Sequence, residues 1–507
     1  MAALVFGAVL WALIAIHTRF TLEDAYITFR YSANIISGKG FVFNPGEHVL
    51  GTTTPLQTLL LALFSYPFGP RAVPDVAAVL MPIFGLCAGL ALYYVLVRRG
   101  IPMPAAALGM ALLYADTAMI RTGIGGTETP LALLLMASSL WALVNERPVA
   151  AGVFCGLLAM CRIDGLIWAA LIFGATLLKS RRAVMVQGMA FALTILPWII
   201  FAALYFGSPV PNSMLAKGVV RPGMAHALSD PERIMRYLQW FICGTGVKWG
   251  PWIPLWVLTL AIGAWHVLRK GTRDLAVIVV YPWVYAALMY FGRAPRYEWY
   301  LLPITFVTLP VAAIGLYEIY KAAMGRLRLN PRTVSYAGAI LIIVLMVGYF
   351  SCVPLMLHRL KRAQENEDQF RRQVGLWLRD HARPTASVAM EAIGYQGFFS
   401  ERRIIDMAGL VTPRAIEFKR RTQHNGQIFD WALRDFKPDY IVLRSFEVDT
   451  NRHFNGGPLF LTSEKERQFH AMYREAVRFE APYPDSAPLV RHLTVYERVR
   501  PGGSRTD

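Results

Sequence analysis

Apolar stretches about as long as a bilayer is thick recur along this chain of 507 residues. A transmembrane helix needs about 20 predominantly apolar residues, because the hydrocarbon core of a membrane is about 30 Å thick. The chain is 55% hydrophobic and 17% charged, whereas soluble proteins carry about 25% charged residues. The sequence therefore predicts an α-helical polytopic membrane protein.

About eleven spans are predicted from the length of these stretches. They cover residues 1–17, 74–97, 102–114, 127–144, 149–160, 163–178, 184–206, 249–268, 275–291, 299–320 and 334–357. The first lacks the basic start and cleavage pattern of a signal peptide, so we expect it to remain as a span. The apolar stretch 55–67 is too short to span and is predicted to be an interfacial helix on the outer surface.

Short loops between alternate spans carry the Lys and Arg residues that mark the cytoplasmic side. With the N-terminus inside, these residues are Arg98, Arg99, Arg147, Lys179, Arg181, Arg182, Arg269, Lys270, Arg273, Lys321, Arg326, Arg328 and Arg332. Residues 18–68, 207–248 and the tail are then outside. Topology and anionic membrane lipids account for the net charge of +18, so nucleic acid is not a predicted partner.

The tail, residues 358–507, differs in composition from the rest of the chain. A charged segment at 359–383 has apolar residues at helical spacing. Short strands are predicted at 386–390, 403–407, 439–443 and 489–496, which indicates a small α/β domain after a membrane module of residues 1–357. The five cysteines all precede the tail and show no disulfide or zinc-site spacing.

Two adjacent carboxylates, Glu23 and Asp24, follow the first span. Partial desolvation at the membrane boundary raises a carboxyl pKa and suits a general base. Alternatively, the pair belongs to a helix N-terminus, with Thr21 as the cap and Asp24 in a capping-box position. The residues alone leave both interpretations open.

Further polar motifs follow the acid pair on the predicted outer face. They are EDAYITFRY at 23–31, NPGE at 44–47, TPL at 54–56, GTETPL at 126–131, RIDG at 162–165, PNSMLAK at 211–217, RYEWYLLP at 296–303, GY at 394–395 and IDMAGL at 405–410.

These motifs, in this order, resemble those of the polytopic C-type (GT-C) glycosyltransferases. The resemblance is strongest to the mycobacterial terminal arabinofuranosyltransferases, which use decaprenyl-phosphate arabinose. The superfamily also includes protein O-mannosyltransferases and lipid A aminoarabinose transferases. Each motif is short, so their common order over most of the chain carries the resemblance. The chain departs from the family at Glu23, where Asp is usual, and at Ile163, where Pro is commoner.

The resemblance implies an inverting transfer of a sugar, such as arabinofuranose or another pentose or hexose, from a polyprenyl-phosphate donor. The acceptor is a glycan, lipid or protein of the cell envelope, at the outer face of a bacterial inner membrane. Asp24, with Glu23 beside it, takes the acceptor proton, and Lys217, Arg293 and Arg296 hold the donor phosphate. No cofactor is implied, since the lipid-linked sugar is a substrate.

The phosphate-binding candidates have structural alternatives. Arg293 and Arg296 are placed to anchor a span at lipid headgroups, and Lys217 is equally well explained as a loop charge. Arg162 and Asp164 are expected to pair with each other rather than to take part in catalysis.

The remaining site candidates are also open to structural explanations. Glu128 suits a helix N-terminus as well as a site. Tyr297 and Tyr300, which could stack on a sugar, are more typical of an interfacial aromatic belt. Glu47 and His48 suggest a metal only weakly, and no metal site is predicted.

Two other functions compete with transfer. One is a transporter or flippase of a lipid-linked sugar, which would favour inverted repeats and ionisable residues at the membrane midplane. The other is an inactive relative that only binds glycan. The ionisable residues here fall mostly at the ends of predicted spans, which favours the enzyme.

Overall fold

The computed structural model describes residues 2–218, 253–270, 273–292, 297–326, 353–422, 425–451, 458–483 and 490–499. The chain divides into two compact units. One, which we call the helical unit, comprises Met1–Arg19, Ala77–Trp198 and Pro222–His358. The other, which we call the sheet unit, comprises Phe20–Val76, Ile199–Arg221 and Arg359–Asp507. The predicted first outer loop therefore belongs to the same unit as the tail.

All regular secondary structure described before residue 327 is helical. In chain order the helices are Ala2–Thr18 (α1), Ala25–Ile36 (α2), Pro55–Ser65 (α3), Val73–Arg98 (α4), Met103–Ala115 (α5), Thr117–Ile124 (α6), Thr129–Val144 (α7), Pro148–Cys161 (α8), Gly165–Leu177 (α9), Arg181–Phe206 (α10), Asn212–Gly218 (α11), Ile253–Lys270 (α12), Ala276–Phe291 (α13) and Glu298–Arg326 (α14). Each predicted span except 334–357, which lies largely outside the described residues, falls on one of these helices.

Four of the described helices are long and apolar enough to cross a membrane. They are Pro70–Arg98, Arg181–Phe206, Arg273–Phe291 and Trp299–Arg326. The pair α5 and α6, bent by 61°, makes a fifth if it is one broken span. Other apolar helices, including α7, α8 and α9, have 10–17 residues, so the count of about eleven spans stays a prediction.

Charged residues from different predicted inner loops meet within the helical unit. Asp274, whose side chain is 2% exposed, forms ion pairs with Arg99 and with Lys179, the latter at 2.6 Å. Arg99 also donates to the carbonyl of Val144 at 2.6 Å, at the end of α7. The loops after α4, α7, α9 and α12 are therefore close together. Such proximity is expected if the spans alternate in direction and these loops lie on one side of the membrane.

The tail contains a five-stranded sheet. Its strands are Ser387–Met390 (β1), Arg403–Asp406 (β2), Tyr440–Arg444 (β3), Tyr473–Glu480 (β4) and His492–Arg498 (β5). In the order β2-β1-β3-β5-β4, the first three strands run parallel and β5 is antiparallel to both β3 and β4. A core that includes Ile441, Leu443 and Phe469 covers the sheet.

The tail helices alternate with these strands. They are Val353–Asn366 (α15), Arg372–His381 (α16), Tyr395–Ser400 (α17), Pro413–Arg421 (α18), Asn425–Phe436 (α19), Ser445–Asp449 (α20) and Ser463–Met472 (α21), with a π-helical segment Glu367–Arg371 joining α15 to α16. The predicted helix at 359–383 and the four predicted strands lie at their expected places. Strand β4 was not predicted. It lies at the sheet edge and is mostly exposed, so its sequence lacks a buried apolar run.

Candidate active site

The acid pair lies in the turn between α1 and α2. Helix α2 begins at Ala25, with Asp24 at the N-cap position and no hydrogen bond from the Asp24 side chain to the helix. The alternative that placed the cap at Thr21 is wrong, because Asp24 is the N-cap residue. The backbone N–H of Thr21 instead donates to Oε1 of Gln364 at 2.8 Å. The Asp24 carboxylate is exposed at the positive end of the α2 dipole.

Glu23 has a different environment from its neighbour. It is partly buried, and its Oε1 accepts a hydrogen bond from the backbone N–H of Gly394 at 2.6 Å. Burial, followed by the charge of Asp24, raises the pKa of Glu23 to about 8, against lowering effects from Arg371 and the Gly394 amide. The raised pKa favours the protonated form of Glu23, which the tail holds, while Asp24 faces solvent.

Arg30, seven positions after Glu23, is buried and ties α2 to the tail. Its guanidinium donates to the carbonyls of Phe43 at 2.9 Å, Gly397 at 2.6 Å and Arg402 at 2.6 Å. It also lies over the Phe43 ring, 4.2 Å from the centroid. Because it donates to three backbone carbonyls and to Oδ1 of Asn44, Arg30 acts as a structural cross-link within the sheet unit.

Asn44 holds the first loop against the edge of the sheet. Its side-chain amide donates to the carbonyl of Ile404 at 2.8 Å and accepts from the N–H of Ile404 at 2.9 Å. Strand β2 is an edge strand, and unpaired backbone groups of edge strands need such cover. The Asn44 amide therefore pairs with β2 much as a neighbouring strand would.

Glu47 and His48 point to separate partners. Glu47 pairs with Arg403 at 2.6 Å and accepts from the Asn44 amide at 2.9 Å. The exposed His48 ring stacks on Tyr205, with centroids 4.1 Å apart. Among the described residues no three His, Cys, Asp or Glu side chains are grouped to hold a metal ion.

The PNSMLAK motif begins α11, whose first residue is tied to two other segments. The Asn212 backbone N–H donates to the carbonyl of Leu50 at 2.7 Å, and its Nδ2 donates to the carbonyl of Gly409 at 2.6 Å. Lys217 belongs to α11, but its side chain lies outside the described residues. The sequence identified this motif only by resemblance and gave Asn212 no role.

A second polar group occupies the helical unit around Arg162. This buried guanidinium pairs with Asp164 at 2.9 Å and with Glu128 at 3.0 Å. It also donates to the carbonyl of Trp299 at 3.3 Å, while Asp164 accepts from the Tyr285 hydroxyl at 2.6 Å. The expected pairing of Arg162 with Asp164 is confirmed, and the cluster joins the starts of α7, α9 and α14.

The aromatic candidates lie beside this cluster. Tyr297 is 41% exposed and stacks on Trp299, with centroids 4.6 Å apart. The Arg162 guanidinium lies over the Tyr300 ring, 5.3 Å from the ring centroid. Arg293 and Arg296 lie outside the described residues.

The predicted site residues therefore fall into two groups. Glu23, Asp24, Glu47, His48 and the backbone of Lys217 belong to the sheet unit, and Glu128, Arg162, Asp164, Tyr297 and Tyr300 belong to the helical unit.

Comparison with known proteins adds two sequence relationships. Residues 359–496 match a family described as a domain of unknown function (DUF8728). The terminal beta-(1->2)-arabinofuranosyltransferase of Mycobacterium tuberculosis is 29% identical over 225 residues, which cover 39% of this chain and 35% of that protein. The aligned part spans about a third of the length of this curated relative.

Solved structures resemble nearly the whole chain. ArnT from Cupriavidus metallidurans, bound to undecaprenyl phosphate, has a TM-score of 0.59 and 12% identity, with 99% of each chain covered. The Archaeoglobus fulgidus oligosaccharyltransferase, in complex with Zn and sulfate, has a TM-score of 0.56 and 15% identity over 88% of this chain and 68% of its own. The mycobacterial arabinofuranosyltransferase AftD has a TM-score of 0.52 and 14% identity over 99% and 40%.

The chain is a multi-pass membrane protein with the fold of the polytopic C-type glycosyltransferases. The fold that the sequence resemblance implied is thereby confirmed. Within that class, one arabinofuranosyltransferase is related by sequence and another by structure.

Proposed function

We propose that this chain is an inverting glycosyltransferase that moves a sugar from a polyprenyl-phosphate donor to an acceptor of the cell envelope. The donor sugar is arabinofuranose or another pentose or hexose, and the acceptor is a glycan, lipid or protein. The protein lies in a bacterial inner membrane with about eleven spans, a membrane module of residues 1–357 and an α/β domain of residues 358–507 on the outer side.

The different environments of Glu23 and Asp24 carry the proposal. Asp24 is exposed at the start of α2, whereas Glu23 is partly buried, accepts the Gly394 backbone N–H and has a raised pKa. In such a pair, the Asp24 carboxylate is available to a substrate, while the Glu23 carboxyl group fixes the first loop to the tail. Helix α11, which contains Lys217, belongs to the same compact unit.

The proposed reaction is a single displacement at the anomeric carbon. The acceptor hydroxyl oxygen forms the new glycosidic bond, its proton passes to the Asp24 carboxylate, and the bond from the sugar to the phosphate oxygen breaks. Lys217, Arg293 and Arg296 stabilise the negative charge that remains on the polyprenyl phosphate. Inversion of the anomeric configuration follows from one displacement.

Purified protein in lipid nanodiscs tests the proposal with a panel of polyprenyl-phosphate pentoses and hexoses. We expect turnover with at least one donor and a loss of about 10²–10⁴-fold in Asp24→Asn, the usual contribution of a general base. The matched control is Asp75→Asn, since Asp75 is another exposed aspartate in the first turn of a helix.

Three results would count against transfer by Asp24. Folded protein without turnover on any donor, or full activity in Asp24→Asn, excludes the mechanism. Movement of an intact lipid-linked sugar across the bilayer, without transfer, indicates the transporter instead. We also propose that no metal is required, so activity should survive treatment with a chelator.

A further inference from the structure

A tail loop with a fixed backbone conformation follows strand β2. Asp406, the last residue of β2, is 1% exposed. Its Oδ1 accepts from the N–H of Ala408 at 2.8 Å, and its Oδ2 accepts from the N–H groups of Leu410 and Val411. Gly409 adopts φ of +93°, which favours glycine. One carboxylate therefore organises the whole turn of residues 406–411.

This turn presents two carbonyl groups to helix α11. Nδ2 of Asn212 donates to the carbonyl of Gly409 at 2.6 Å and to that of Leu410 at 3.2 Å. On the other side, Gly51 of the first loop is packed so closely that an added Cβ would lie 2.9 Å from the Leu410 carbonyl oxygen. The turn and the first loop both contact the start of α11, the turn through the Asn212 side chain and the first loop through the Asn212 backbone N–H, which donates to the Leu50 carbonyl.

Within the described residues, helix α11 comprises Asn212–Gly218. The hydrogen bonds of Asn212 to Leu50, Gly409 and Leu410 anchor its first turn. Lys217 lies five positions after Asn212 in this helix, about 7.5 Å along the axis at 1.5 Å per residue. A displacement at Asn212 is therefore passed directly to the backbone of Lys217.

We propose that Asp406 and Asn212 are positioning residues that hold Lys217 for the donor phosphate. The inference rests on the proposed transferase function and adds to it a role for the tail, whose matched family has no known function. The tail would then contribute to donor binding without supplying a phosphate ligand. Its turn fixes the carbonyl groups of Gly409 and Leu410, and these groups hold helix α11 through Asn212.

Two substitutions disturb this contact from opposite sides. Asp406→Asn places an amide NH2 where a carboxylate oxygen accepts backbone N–H groups, so at least one donor loses its acceptor. Asn212→Asp leaves the tail loop intact but sets a carboxylate oxygen against the carbonyl oxygens of Gly409 and Leu410. If Asp406→Asn fails to fold, Asn212→Asp still tests the contact. Asp435→Asn is the control, because Asp435 forms an exposed ion pair with Arg414 in the same tail.

Steady-state kinetics and hydrogen exchange are measured on the full chain in nanodiscs. We expect both variants to raise the donor KM by roughly tenfold, the effect of about 1.4 kcal/mol, with the acceptor KM unchanged. Amides of α11 should exchange faster in both. When Asp406→Asn or Asn212→Asp is added to Lys217→Ala, donor binding should be no weaker than in Lys217→Ala alone. The reason is that both positioning variants act through Lys217.

Each other result overturns the inference. Unchanged exchange in α11 would show that the contact does not hold the helix. Faster exchange with an unchanged donor KM, or additive effects with Lys217→Ala, would show that it holds the helix without serving the phosphate. If the wild type turns over no donor, the proposed function fails and this inference with it, whereas an active wild type with insensitive variants refutes the inference alone.

Discussion

The carboxyl group of Glu23 accepts a hydrogen bond from the backbone N–H of Gly394, 371 positions later, at 2.6 Å. This bond connects the acid pair of the first loop to the start of the short helix α17. Glu23 is therefore part of the tail's structure, although it comes directly before the proposed base.

The first prediction concerns the pH dependence of stability. The folded protein retains the Glu23 proton up to about pH 8, whereas the unfolded chain releases it near pH 4.5. Stability falls with rising pH wherever the native state binds more protons. Melting temperatures should therefore fall between about pH 5 and 8, with a smaller slope in Glu23→Gln. Asp435→Asn is the control, and its melting temperature should depend on pH as that of the wild type does. If Glu23→Gln also keeps the wild-type dependence of melting temperature on pH, the assigned pKa of Glu23 is contradicted.

The second prediction concerns the close contact at Gly394. A Cβ at this position would lie 2.1 Å from the backbone carbonyl oxygen of Glu23, which cannot rotate away. Gly394→Ala should lower the stability by about 1–3 kcal/mol, as overpacking does, and release the first loop. Protease sensitivity of residues 37–54 reports the release. Gly46→Ala is the comparison, because a Cβ there has open space although its φ of +84° adds modest strain. Equal effects of the two variants would refute the contact.

The third prediction concerns Arg162. Its two ion pairs and the bond to the Trp299 carbonyl require the planar guanidinium fork, which lysine lacks. Arg162→Lys should therefore destabilise the protein strongly, toward the roughly 3–5 kcal/mol that follows loss of one partner from a buried pair. Thermal unfolding measures this loss, and Arg182→Lys, at an exposed position, is the control. A wild-type melting temperature in Arg162→Lys would show that the cluster is not structural.

The fourth prediction tests the topology. In a variant without native cysteines, Lys39→Cys should react with a membrane-impermeant maleimide in spheroplasts, because the first loop is predicted outside. Arg182→Cys should react only after the membrane is permeabilised, since Arg182 shares a predicted inner loop with Lys179, which pairs with Asp274. Both positions are exposed. Labelling of both from the same side would disprove the alternation of spans.

The sequence predicted the apolar helices and most tail strands, because the length and period that identify them are local properties. It could not predict that Asn44 pairs with Ile404 or that Arg30 reaches Arg402, since these contacts join residues 360 and 372 positions apart. Nor could it predict that Gln364, 343 positions away, accepts the backbone N–H of Thr21. Of the site, the motifs were visible, but the separate environments of Glu23 and Asp24 were not.

The three bonds from Arg30 to backbone carbonyls also affect how the protein is made. Arg30 leaves the ribosome early, and Arg402 is synthesised 372 residues later, roughly 20–75 s at the usual 5–20 residues per second. Until then the guanidinium has neither the Gly397 nor the Arg402 carbonyl. The first loop must therefore wait for synthesis of the tail, so assembly of the sheet unit is a late step of biogenesis. In the proposed topology, a chaperone outside the membrane would meet this unit before it is complete.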